Sequence, residues 1–137
     1  MKALLLIIST TFLLQHPAEL PDCDKSEAIM RIALNALLSR EMIAPHDNTL
    51  NIIVSEEWVR FLPAEIKTDR NWVQVLANQA SVTDVILTNV LVNGANGAKV
   101  FFRTSPIAGY QYSGTISLKC LDGAYVFDAI HYVSEIE

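Results

Sequence analysis

The chain has little of what most recognisable chemistry requires. Only 5 Gly and 5 Pro occur in 137 residues, and the one Gly-rich stretch, Gly94-Ala95-Asn96-Gly97, lacks the spacing and the lysine of a phosphate loop. There is no Gly-x-Ser-x-Gly elbow, and neither cysteine has a local activating base. The 3 histidines, His16, His46 and His131, are scattered, and no pair of Cys or His has ligand spacing for a metal. Basic clusters are missing as well: 10 Lys and Arg stand against 15 Asp and Glu, a formal charge of -5, which argues against nucleic acid as a partner. No apolar run reaches the about 20 residues that span a bilayer, so no transmembrane segment is expected. No cofactor is implied. A binding or interaction role therefore stands ahead of catalysis.

What is present is core-forming material. At 51% hydrophobic residues the chain suffices for one globular domain and is too short for two ordinary ones. Its start reads as an export signal: Met1-Lys2 supplies a positive n-region, residues 3–14 an apolar h-region, and Ala18 a small residue before a cut. Residues 1–18 are thus expected to be a signal peptide and 19–137 a single α+β domain, secreted or periplasmic. The rival reading makes the same segment a buried N-terminal element. Export would leave Cys23 and Cys120 as each other's only partners, and an even count in an oxidising compartment favours a bridge over two separate buried thiols.

Residues 109–133 organise the fold. Two alternating runs flank Leu121-Asp122-Gly123-Ala124, and Asp-Gly accepts the two positive φ angles of a type I′ turn. Counting outward from Leu121 opposite Ala124 puts Tyr112, Gly114, Ile116, Leu118 and Cys120 on one face with Tyr125, Phe127, Ala129, His131 and Val133. Upstream, Asp24 and Glu27 start an amphipathic helix whose Ile29, Ile32, Ala33, Ala36, Leu37 and Arg40 share a face, ending near Met42 to Ala44 ahead of Pro45. Leu50 to Val54 reads as a strand, Trp58 to Leu62 as one or two helical turns. Trp72 to Leu76 fits helix or strand, with helix favoured. From Val82 onward the pattern is β, with turns at 93–97 and 105–109. The expected architecture is α+β, a long N-terminal helix packed on a curved antiparallel sheet whose C-terminal part is a four-strand meander.

On that register His131 faces the core opposite Gly114, with Tyr112 diagonal to it, so the missing side chain at Gly114 opens a small pocket. Tyr112, His131, Tyr125 and Phe127 are its candidate ligand-binding residues. Val126, Ile130 and Tyr132 fall on the other face and form a candidate interface for a protein partner or a second copy of the chain. Asp128 lies opposite in face to His131, which argues against a dyad.

The order of elements, a long helix, short pieces, then a meander closing on Leu121-Asp122-Gly123-Ala124-Tyr125-Val126, resembles the nuclear-transport-factor-two-like, or ketosteroid-isomerase-like, cone fold. A cystatin-like helix on a wrapped sheet is similar too. The resemblance implies a helix and curved sheet enclosing a pocket, and no inward Asp or Tyr matches that family's catalytic positions. The expected function is an exported small binding domain with an apolar pocket between helix and sheet and an unidentified small apolar ligand. The alternatives are a protein-interaction, inhibitor or immunity-type module using the exposed sheet face and, more weakly, an isomerase or hydratase using His131 as acid or base.

Overall fold

The computed structural model describes residues 23, 26–77, 84–92 and 97–136. The expected signal peptide, the Asp24 cap and the turn residues 93–96 lie outside them. Helix α1 (Ser26–Ser39) carries a buried stripe of Ile29, Met30, Ala33, Leu34 and Leu37, while Arg31 and Glu27 pair at 2.8 Å on its exposed face. It stops earlier than the sequence predicts because Glu41 adopts a left-handed φ of 56°. The amide of Met42 then bonds the Leu37 carbonyl and that of Glu41 the Leu38 carbonyl, a Schellman closure with Met42 buried like Leu37.

The remaining elements are β1 (Thr49–Ile53), a single turn α2 (Glu56–Val59), β2 (Glu65–Lys67), β3 (Trp72–Ala77), β4 (Val85–Val92), β5 (Ala98–Thr104), β6 (Tyr110–Leu121) and β7 (Ala124–Ile136). Among the described residues the strands form one 7-stranded sheet in the order β2-β3-β1-β4-β5-β6-β7. The antiparallel meander β4 to β7 is present as expected, but β1 runs parallel to both β3 and β4, so the sheet is mixed. It curls into a half-barrel, and α1 packs on it against β7, β5 and β2. Compared with the sequence expectation, the helix is shorter and strands dominate.

The segment 72–76 corrects the helix expectation. Val73 and Val75 are β-branched and Trp72 and Gln74 point outward, a period of two that β1 and β2 complete from either side. Propensity over so short a run fits helix or strand, and pairing with β1 and β2 makes it a strand.

Three tight turns share one device. Asp47 and Asn48, Ala108 and Gly109, and Asp122 and Gly123 each place consecutive residues at positive φ, the type I′ signature. The turn at 121–124 sets the β6–β7 register as counted from sequence through Leu118 opposite Phe127. There the ladder slips. Asp128 is an extra residue, Ser117 pairs with Ala129, and every later position on β7 changes face. A matching bulge occurs on β4 between Leu87 and Asn89. Each extra side chain reaches across to its neighbour: Asp128 meets Lys119 Nζ at 3.1 Å, and the Thr88 hydroxyl donates to the Phe101 carbonyl at 3.4 Å. Bulges sharpen local twist, and two of them help this sheet curl around its helix.

Cys23 and Cys120 form a disulfide with Cα atoms 5.9 Å apart, tying the chain just before α1 to β6. Such a bond fits an extracellular or periplasmic compartment. Among the described residues no helix is long and apolar enough to cross a membrane.

Candidate functional site

The slip at Asp128 redistributes the residues singled out from sequence. His131 is exposed and opposite Thr115, not Gly114, so it faces away from the core. Ile130 takes the inward place opposite Ile116 and is half-buried, while Tyr132 sits opposite Gly114 and packs edge-on against Tyr112, ring centroids 5.7 Å apart. The expected space beside Gly114 is absent. A Cβ there would collide with the His131 carbonyl oxygen and approach Tyr132 Cα to 2.7 Å, so the glycine admits the neighbouring backbone. Tyr125 is buried in the core. Val126, Ile130 and Tyr132, expected on one surface, are divided: Val126 faces outward with Lys119, and the other two face inward.

Of the four expected pocket residues, Phe127 borders a cleft away from Gly114. That cleft, about 1020 Å³, lies where the C-terminal end of α1 and the loop after it meet the β2–β3 turn, with Ile107 and Phe127 also in its wall. Lys67 of β2 and Phe127 of β7 come from the two edge strands, so the curl brings opposite margins of the sheet to one opening.

Local chemistry holds each wall. On α1, Ile32, Asn35, Ala36 and Ser39 recur at helical spacing and present one face to the cleft. Arg40 at the helix end donates to the Ala36 carbonyl at 3.3 Å, an arrangement that suits the negative end of the helix dipole. Its guanidinium also lies 4.5 Å from the centre of the Phe127 ring, linking α1 to β7 through a cation–π contact. The β2–β3 turn is held by Thr68, whose hydroxyl donates to the Asn71 carbonyl at 2.9 Å and accepts from the Asn71 amide at 3.0 Å. Asn71 Nδ2 donates to Asn48 Oδ1 at 3.2 Å, and the Gln74 amide donates to the Asn48 carbonyl at 2.8 Å. The turns at 46–49 and 68–71 are therefore fastened to each other. Lys67, Asp69 and Arg70 stand on this braced rim.

The cleft is amphiphilic. Ile43, Val73, Ile107 and Phe127 supply apolar wall, and three cations, Arg40, Lys67 and Arg70, outnumber two carboxylates, Glu41 and Asp69. That balance reverses the sign of the chain as a whole, which carries -5. The sequence reading missed this set because its members come from segments far apart along the chain. The nearest local signals were Thr68 and Asn71 flanking an Asp69-Arg70 pair, a turn signature that says nothing of what the turn faces.

Asp84 is a carboxylate displaced from ordinary behaviour. It immediately precedes β4, half-buried, accepts the Asn51 amide at 2.9 Å, and returns a backbone bond to the Asn51 carbonyl at 3.1 Å. Burial raises its pKa, against the lowering pull of the Asn51 N–H and of His46. These bonds clamp the start of β4 to β1, a joining role away from the cleft. Among the described residues no group of three His, Cys, Asp or Glu could hold a metal.

No protein-family model, curated protein or solved structure matches the chain.

Proposed function

We propose that the chain is a small exported binding domain that holds an amphiphilic anion, an apolar chain or ring ending in a carboxylate, sulfonate or phosphate group, in the cleft between α1 and the two sheet edges. The observation that carries the reading is the composition of that cleft. A volume of about 1020 Å³ is at the upper end of the range for small-molecule sites. Its apolar walls provide the transfer free energy, and its excess of cations favours a negative head group over a neutral one. The braced turns at 46–49 and 68–71 support the reading further, since a rim already ordered costs less to order on binding. Export is supported by the disulfide.

The probe is anilinonaphthalene sulfonate, which combines an aromatic body with one anionic group. A titration followed by fluorescence should saturate at one molecule per chain. The double substitution Lys67→Glu and Arg70→Glu, both at exposed positions, should weaken binding at least about tenfold at low salt while leaving the thermal midpoint unchanged. Linear, non-saturating fluorescence, or an affinity indifferent to the charge reversal, would remove the proposal. A native mass spectrum of protein from its own host would then identify the resident ligand by the mass lost on unfolding.

A further inference from the structure

We infer that the outer edge of β7 is an interface for a second copy of this chain, the two β7 strands pairing antiparallel about a two-fold axis at Val133. The inference is independent of the cleft.

β7 is the last strand of the sheet order and pairs with β6 along one side. Among the described residues its other side has no strand partner, so a row of backbone donors and acceptors is presented outward. The opposite edge, β2, is only 3 residues long, whereas β7 has 13. Natural edges of that length are usually blunted by lysine, proline or a bulge. Ala124–Ile136 contains no Lys, Arg or Pro, and its bulge sits at Asp128, leaving the stretch from 129 onward regular. The most exposed large apolar side chains of the strand lie in that stretch: Tyr132 is 52% exposed, Val133 61% and Ile136 80%. Backbone valence thus asks for a strand, and the side chains ask for an apolar one.

The pattern of side chains selects a copy of itself. With Val133 on the axis, the inward face sets Ile130 against Ile136 and Tyr132 against Ser134. The outward face sets Val133 against Val133 and His131 against Glu135, an imidazole N–H donor opposite a carboxylate, and both of these contacts occur twice or on the axis. Neighbouring registers are poorer. An axis at Tyr132 drives Ile136 onto Asp128 at the bulge, and an axis at His131 opposes the two imidazoles. In antiparallel self-pairing only even shifts keep each face continuous, so few alternatives remain. The favoured register uses residues 130–136 of each copy and ends short of the bulge.

The test is a charge exchange read by sedimentation across a micromolar to sub-millimolar series of the disulfide-intact chain. Wild type should dimerise reversibly. His131→Glu places two carboxylates opposite each other twice and should raise the dimer Kd at least about tenfold. Adding Glu135→Lys to His131→Glu should restore dimerisation, a rescue that only a 131–135 pairing explains. Both positions are exposed, so folding is not at stake, and circular dichroism checks it. Val133→Cys should join to its own copy under mild oxidation, and Lys99→Cys, on an exposed face of β5, should not. A chain that stays monomeric throughout, a dimer indifferent to His131→Glu, or failure of the rescue overturns the inference. So does a monomer whose outward β7 amides resist hydrogen exchange, because another segment of the same chain would then hold the edge.

Discussion

Replacing Cys23 and Cys120 together by Ala should cost the protein a large part of its stability. The disulfide joins residues separated by 97 positions. In the chain-entropy model, opening a loop of that size releases about 4.7 kcal/mol of denatured-state freedom at 25 °C. Cys23 belongs to the buried core and Cys120 packs against it, so losing two sulfur atoms from close packing adds roughly 1 kcal/mol. Measured effects of removing native bridges run from about 2 to 5 kcal/mol, against total stabilities of about 5 to 15. Urea unfolding monitored by circular dichroism is the assay. With an m-value of about 1 to 3 kcal/mol/M, the midpoint should fall by roughly 1.5 to 3 M. The m-value itself should rise, because an uncrosslinked chain exposes more surface when unfolded. Hydrogen exchange should localise the native-state effect to the first turns of α1, which lose their anchor on β6, with β4 and β5 unaffected. A midpoint that shifts by less than about 0.5 M, at unchanged m, would refute the argument that the bridge acts by constraining the unfolded chain.

Gly114→Ala places a methyl group against the His131 carbonyl oxygen and Tyr132 Cα. It should destabilise by more than about 3 kcal/mol in the same urea assay, and a loss below about 1 kcal/mol would show that β7 can move aside. Glu41→Gly relieves a left-handed residue at the closure of α1 and should raise stability by about 0.5 to 1 kcal/mol; no gain would mean that the Schellman turn is not strained. Asp84→Asn keeps an oxygen for the Asn51 amide and removes the buried charge. Since burial raises the Asp84 pKa in the folded state, the native protein holds that proton to higher pH than the unfolded chain does. The group's cost is absent at pH below its ordinary value, grows as pH rises through the folded pKa, and persists above it. The stability advantage of Asp84→Asn should therefore increase with pH across that window, and parallel stability–pH curves for the two proteins would contradict the assignment.

Several elements were legible because they are encoded locally. Asp122-Gly123 determined a type I′ turn and, through it, the first pairs of the closing hairpin. The spacing of Ile29, Ala33 and Leu37 determined the buried stripe of α1. The even count of cysteines pointed to the Cys23–Cys120 bridge. Each of these rests on residues within a turn or two of each other, or on arithmetic over the whole chain.

What only the tertiary structure decided depends on partners remote in sequence. Trp72–Ala77 became a strand because β1 and β2 flank it. His131 and Ile130 exchanged faces because one extra residue at Asp128 slips the ladder; since the side-chain period along a strand is two, a slip of one inverts everything beyond it. No local signal marks Asp128 as the extra residue; its contact with Lys119 exists only once β6 and β7 are paired. The cleft is the extreme case. Arg40, Lys67, Ile107 and Phe127 have no sequence relation to one another, and they share a wall only because a curled sheet brings its two edges to the same end of a helix. Sequence by itself determined the turns, the helix stripe and the covalent tie; the curl of the sheet, which sums twist and bulges over all its strands, decided which side chains meet.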